Sequence, residues 1–533
     1  MPRAQLSIGE TNNMAFTHPR IRTSLRALLP GRPRRSVSRA LLAVLVAVLT
    51  PLLAFWASDM ALAAGGTGGA AASVTPVPGP AADLSHPLTG GNGPFIGTAI
   101  PVDLNQAGYV QQEYAAVGTA TSYRAVGALA GNGRWTFAPN GTAPYDTRVL
   151  VRRPADPAKF SGNVLVEWLN VSGGVDADPE WANLYEEITR RGDIWVGVSA
   201  QRIGVEGGQV LVTVPGAGSD LAGQGLKKID PARYGTLAHP GDGFAFDIFT
   251  QVARGLRGGG ALDGLHPQRL VAAGESQSAF AMTTYYNGVQ PLTQAFDGFF
   301  VHSRGAAGLP LVGPGQSADL TGALFSASTT FRTDQNAPVL DIQTESDLTG
   351  ILNSVQARQP DSDRFRLWEV AGTSHADAHL LGSTAAGIDC GAPINNGPLH
   401  LVAKAAWHGL TTWLTTGQAP VTAPRIDISQ FLLFRSVKRN ADGIATGGIR
   451  TPPVDVPVDV LSGDPGPNLS AICLLLGSTK PLSTARLAQL YPSRADYERR
   501  YAANADAAVS AGFVLGDDRP ALIAFAQPAR IPS

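Results

Sequence analysis

Short apolar, β-branched runs recur along this chain with helical stretches between most of them, and that alternation constrains its fold more than any other feature. The runs cover residues 164–169, 194–199, 270–273, 298–301, 339–343 and 365–370. Each is bounded by polar turns and is too short for a buried helix, so each reads as a strand covered on both faces. The segments between them carry helical periodicity. Residues 179–191 open with acids at the positive end of the helix dipole. Residues 242–257 place Phe246, Phe249, Val252 and Leu256 at three- and four-residue steps, and residues 349–358 do the same with Ile351, Leu352 and Val355. Strand–helix–strand alternation predicts an α/β fold, a doubly wound and mostly parallel sheet with a C-terminal extension. Most strand starts are about 25–40 residues apart, the length of one βα unit. The longer gap from Ile194 to Leu270 predicts an insertion around residues 205–234. Residues 305–336 form a second long connection, a candidate for part of a pocket wall.

Within that frame, Gly274-Glu275-Ser276-Gln277-Ser278 directly follows the strand at 270–273 and opens a helix expected to run to Asn287. This is the context of a nucleophile elbow, where a serine sits on a sharp strand-to-helix turn and its neighbours two positions away must be small. Ser278 stands where glycine is usual, and is only slightly larger. The amide of Gln277, at a helix N-terminus, is suited to donate to an oxyanion. The bland reading of Ser276 is a helix N-cap.

A serine nucleophile needs a base, and an imidazole base needs a carboxylate to orient it. In the order serine, acid, histidine, His86, His239 and His266 come too early, and His302 follows the very next strand. His400, Lys404 and His408 recur at four-residue steps on a helix expected over 398–415, and read as a solvated face. His375, in the loop beyond the strand 365–370, is the choice, with His379 in reserve. The acid should leave the end of the strand beginning at Val339, which offers Glu345 and Asp347; Asp347 is preferred and Glu345 is the alternative. A second oxyanion donor is expected from Asn170-Val171-Ser172-Gly173-Gly174, at the amide of Val171 or Ser172.

The chain resembles the α/β-hydrolase superfamily from about Gly162 to Gly417. Gly274-Glu275-Ser276-Gln277-Ser278-Ala279, Gln343-Thr344-Glu345-Ser346-Asp347 and Ala371-Gly372-Thr373-Ser374-His375-Ala376-Asp377 look like the exported bacterial "alpha/beta hydrolase domain" family. The likeness continues through Gly447-Gly448-Ile449-Arg450 and Cys473-Leu474-Leu475-Leu476-Gly477-Ser478-Thr479. It implies the fold and a serine-hydrolase mechanism, and no substrate. The expectation is an exported serine hydrolase acting on a small-molecule carboxylic ester through Ser276, His375 and Asp347, with no metal or organic cofactor. Acyl transfer or amide cleavage by the same triad is the alternative within enzymes, and a binding module on a hydrolase scaffold the alternative outside them.

Composition bears on location and partners. Residues 1–63 hold a basic run (Arg20, Arg22, Arg26, Arg32, Arg34, Arg35, Arg39), an apolar stretch over 40–56 and Ala61-Leu62-Ala63, the layout of a signal peptide. An uncleaved anchor is the alternative reading. Residues 64–94, rich in Gly, Ala, Pro, Ser and Thr, read as a flexible linker; residues 95–420 as the core; and 421–533 as an extension packed on it, helical at 483–490 and 497–511. The leader carries 8 Arg against Glu10 and Asp59, which leaves 33 cations against 40 acids downstream, net −7. Nucleic acid is thereby excluded as a partner, since phosphate contacts need clustered cations. The two cysteines, Cys390 and Cys473, are expected to pair in an exported chain.

Overall fold

The computed structural model describes residues 74–97, 102–214, 219–432 and 434–532. The signal peptide expected over 1–63, and the first residues of the expected linker, lie outside them. A nine-stranded sheet is built from β1 (Asp83–Pro87), β2 (Tyr109–Ala125), β3 (Phe137–Pro154), β4 (Asn163–Trp168), β5 (Ile194–Val198), β6 (Arg269–Glu275), β7 (Gly298–His302), β8 (Val339–Thr344) and β9 (Phe365–Val370). Its order is β1-β2-β3-β5-β4-β6-β7-β8-β9, antiparallel through β3–β5 and parallel from β5 to β9. The helices that position the site are α1 (Pro179–Arg191), α2 (Ala245–Arg257), α3 (Gln277–Thr284), α4 (Glu345–Thr349), α5 (Leu399–Thr416) and α6 (Arg494–Ser510).

The short apolar runs become strands because alternate side chains find cover on opposite faces. Val164, Val166 and Trp168 of β4 join Ile194, Val196 and Val198 of β5 in one core, closed by Phe249 of α2 and Ala281 of α3. Leu165 and Trp195 point the other way, into a core closed by Trp181 and Leu184 of α1 and Trp407 and Leu410 of α5. This is the mostly parallel, doubly covered sheet that the alternation predicted. Among the described residues no helix is long and apolar enough to cross a membrane.

Three local expectations fail in whole or part, and one pair of strands was not foreseen. Within the expected linker, residues 83–87 form the edge strand β1, whose Leu84 is buried together with Val74 and Ala82. Their Gly- and Pro-rich setting hid a strand with a single buried side chain. The long pair β2–β3 was missed altogether, because its buried positions are partly ionic. Arg148 is fully buried on Glu113 (3.0 Å) and Asp176 (2.7 Å), and Arg233 meets the other oxygen of Glu113 at 2.6 Å. Breaking such a group by removing one partner typically costs about 3–5 kcal/mol.

No helix spans 349–358. After α4, Asn353 takes a left-handed conformation (φ 47°) and only a 3₁₀ turn follows, Ser354–Ala357. The face of α5 expected to be solvated is docked at His400 and Lys404, while His408 is exposed as expected. Lys404 is buried against Asp518 (2.9 Å) and Glu186, and His408 hydrogen-bonds Glu187 (2.9 Å). Opposite charges on α1 and near the C-terminus make this polar face an interface. The helices expected at 483–490 and 497–511 are present as Thr484–Leu490 and α6, and Ala505 and Ala508 of α6 join the core that α1 and α5 cover.

Candidate active site

β6 ends at Glu275 and α3 begins at Gln277, so Ser276 alone makes the turn between them. Its backbone is forced to φ 60°, ψ −123°, a strained shape for a residue with a side chain. The turn is held by Ser276 N donating to the carbonyl of His302 (3.1 Å) and Ala279 N donating to the carbonyl of Ser276 (2.9 Å). Gly274 is obligatory, because a Cβ there would stand 2.8 Å from the backbone carbon and oxygen of Ser278. Ser278 itself is fully buried and takes a hydrogen bond from Gln277 Nε2 (2.8 Å), so its extra atoms fit.

The acid and the histidine come from the next two strand ends but one. Thr344 ends β8 and caps α4, its amide donating to Asp347 Oδ2 (2.7 Å). That leaves Asp347 Oδ1 to accept from His375 Nδ1 at 2.8 Å, and His375 Nε2 faces Ser276 Oγ at 2.8 Å. The His375 amide donates to Ser346 Oγ (2.7 Å), which fixes the loop beyond β9 to α4. Ser276, Asp347 and His375 are therefore brought together in one hydrogen-bonded line. Glu345 is not part of it. Its carboxylate accepts from the amides of Gly372 (2.9 Å) and Gly463 (2.9 Å) and from Arg439 (2.6 Å), binding the histidine loop to the C-terminal segment.

Burial alone would push the His375 imidazole down. The carboxylates of Glu275 and Asp347, and the hydrogen bond His375 donates to Asp347, outweigh it and bring the group up to about 8. Burial would likewise raise Asp347, but the charge of His375 and the hydrogen bonds from His375 and Thr344 hold it below the usual carboxylate range. Glu275 is pushed up to about 7 by burial, against the pull of His375 and His302. One of its oxygens lies 3.4 Å from His375 Nε2.

Two residues escaped the sequence reading of this site. Glu275 was read only as the variable position before the serine, yet it stands beside the imidazole. Asn170 was quoted only as the start of a loop, and its side chain staples that loop to the elbow. Its Nδ2 donates to the carbonyl (3.1 Å) and carboxylate (3.2 Å) of Glu275, while its Oδ1 accepts from the Ser172 amide (2.8 Å). An Asn just past a strand end facing the elbow was the available signal. Ser172's amide is thus occupied, which corrects one of the two expected oxyanion donors. The Val171 amide has no acceptor among the described residues, and the first amides of α3, Gln277's included, have no intrahelical acceptor.

His379, the reserve histidine, stacks on His400 (3.8 Å between ring centres) and bonds the Ala182 carbonyl, away from the serine. His302 is buried next to Glu180 at 3.4 Å. Among the described residues, no three His, Cys, Asp or Glu side chains are grouped to hold a metal ion. Ser276 and His375 open into a cavity of about 470 Å³. Its walls include Leu211, Val212 and Val214 of the insertion, Leu309 and Leu324 of the long connection, and Ile472 and Leu475 from the C-terminal segment. Nearby, Cys390 and Cys473 form a disulfide, buried beside Leu381 and Leu476.

A family model described as "Alpha/beta hydrolase domain" matches residues 77–524. No curated protein matches the chain in sequence. Among solved structures, XC6422 of Xanthomonas campestris, an a/b serine hydrolase without lid, is 14% identical over 55% of this chain and 95% of its own, with a TM-score of 0.27. A thermostable esterase of Pseudomonas putida is 14% identical over 59% and 86%, at 0.29. A Rhizomucor miehei esterase is 11% identical over 56% and 86%, also at 0.29. Likenesses this distant carry no substrate and no mechanism.

Proposed function

The chain belongs to the alpha/beta hydrolase domain family, and on that footing we propose that it is an exported serine hydrolase that cleaves carboxylic esters. The observation that carries the reading is the unbroken line from Ser276 Oγ through His375 to Asp347, 2.8 Å at each step. Ser276 Oγ attacks the ester carbonyl carbon as its proton passes to His375 Nε2. Asp347 holds Nδ1–H and stabilises the imidazolium. The amides of Gln277 and Val171 donate to the tetrahedral oxyanion, where a single such donor is typically worth about 10²–10³ in turnover. Collapse expels the alcohol, which takes its proton from His375, and leaves acyl-Ser276. Water then gives a proton to His375 and its oxygen to the acyl carbon. Breakdown returns that proton to Ser276 Oγ and releases the acid.

Export is supported by the basic and apolar segments before residue 64 and by the Cys390–Cys473 pair, since disulfides persist in oxidising compartments. The decisive experiment is labelling by a fluorophosphonate. Wild type should be labelled on Ser276, and Ser276→Ala should lose both the label and about 10⁶ of turnover while keeping its fold. Substantial ester hydrolysis by the pure variant would overturn the assignment.

A further inference from the structure

The cavity at Ser276 is walled by hydrocarbon drawn from separate parts of the chain: Ile96, Leu211, Leu309, Leu324, Ile472 and Leu475 all face it. Its titratable lining, among the described residues, consists of Asp178, Glu275 and His375, with no lysine or arginine. Asp178 is bound by Arg152 at 2.5 Å, and Glu275 by Asn170 at 3.2 Å. An entering group therefore meets apolar surface, two carboxyls and the triad, and finds no lysine or arginine.

Resting on the serine-hydrolase reading, we propose that the substrate is an uncharged ester with a hydrocarbon portion of medium length, and that the cavity rejects esters carrying a free carboxylate. A cavity of about 470 Å³ is many times the space that one water needs, so it has room for an alkyl chain beyond the carbonyl. An acetyl group leaves much of the wall against water. Every further methylene that reaches the wall favours binding by about fourfold. A carboxylate placed against that hydrocarbon wall loses its water, meets no lysine or arginine and lies on the side of the Glu275 carboxyl, so it is disfavoured both by desolvation and by like charge.

The test is kcat/KM for p-nitrophenyl acetate, butanoate, hexanoate and the mono-p-nitrophenyl ester of adipate, which is the hexanoate with a terminal carboxylate. Enzyme concentration is set by fluorophosphonate titration of the serine. The expected result is at least a tenfold rise from acetate to hexanoate and at least a tenfold fall from hexanoate to adipate. A second arm uses Leu324→Arg, a half-buried wall position, which should narrow the hexanoate-to-adipate ratio in titratable enzyme. Protein that takes no label defeats the serine-hydrolase reading itself. Labelled enzyme that prefers acetate, or accepts adipate as well as hexanoate, overturns the substrate class alone. A ratio unchanged in labelled Leu324→Arg overturns the wall as the source of the rejection.

Discussion

Asp347 and Glu345 lie two residues apart at the end of one strand, and exchanging each for its amide separates their roles. Asp347 Oδ2 accepts from the Thr344 amide and Oδ1 from His375 Nδ1–H. In Asp347→Asn only one oxygen remains. If it stays with Thr344, the new NH₂ faces Nδ1 and forces the tautomer that carries its hydrogen on Nε2, which cannot take the serine proton. If the amide flips, NH₂ meets the Thr344 N–H and the cap of α4 is lost. Either way the base is disabled, and the expected loss is about 10⁴ in kcat, or roughly 5.4 kcal/mol of transition-state stabilisation. Glu345→Gln weakens a buried pair with Arg439 that keeps a second partner, Asp464, at 2.8 Å. It should cost about 2–3 kcal/mol of stability and less than about tenfold in turnover. Ester kinetics and thermal melts on both variants decide between these outcomes. A larger loss of turnover in Glu345→Gln, or more than a tenth of wild-type kcat in Asp347→Asn, refutes the assignment.

Two further outcomes follow from the electrostatics and the cross-link. His375 must be neutral to act as base, and carboxylates on both sides favour its charged form, so kcat/KM should rise with pH through an apparent pKa near 8. Glu275→Gln removes one of those charges and should move the acid limb to lower pH; a limb that stays or moves up would show that Glu275 does not act on the imidazole. Mass spectrometry of the protein recovered from the medium should find a chain beginning at Ala64 with no thiol alkylated before reduction. Reduction should then lower the melting temperature, with about 4.5 kcal/mol as the upper expectation for an 83-residue separation; two free thiols in the unreduced protein would disprove the bridge in solution.

Ser276, Asp347 and His375 were legible because each sits just past a buried strand, and both the strand and the turn after it are written locally. The roles of Glu345 and Asn170 were not, because they depend on partners far along the chain. Glu345 reads as the alternative acid until Gly463, 118 residues later, is known to hold it. Asn170 acquires its function from Glu275, 105 residues away. Lys404 shows the same limit for burial: a cation at helical spacing looks solvated unless Asp518 is known to be waiting. The strands β2 and β3 escaped for a related reason. Periodicity finds apolar faces, and here part of the face is an arginine ringed by acids.

The grip on Glu345 also sets an order of events in biosynthesis. Chains emerge from the N-terminus, and domains tend to fold as their residues become available. The elbow, the acid and the histidine are all present by residue 375, yet Arg439 and Gly463, which hold Glu345, come well after it. Cys473, which closes the bridge to Cys390, comes later still. A chain stopped at residue 420 carries Ser276, Asp347, His375 and the Ser346 contact, but lacks Arg439, Gly463 and Cys473, which tie the histidine loop to the tail. On the proposed mechanism, full activity is expected only once the tail has been made and docked, so a chain ending at residue 420 should hydrolyse esters poorly.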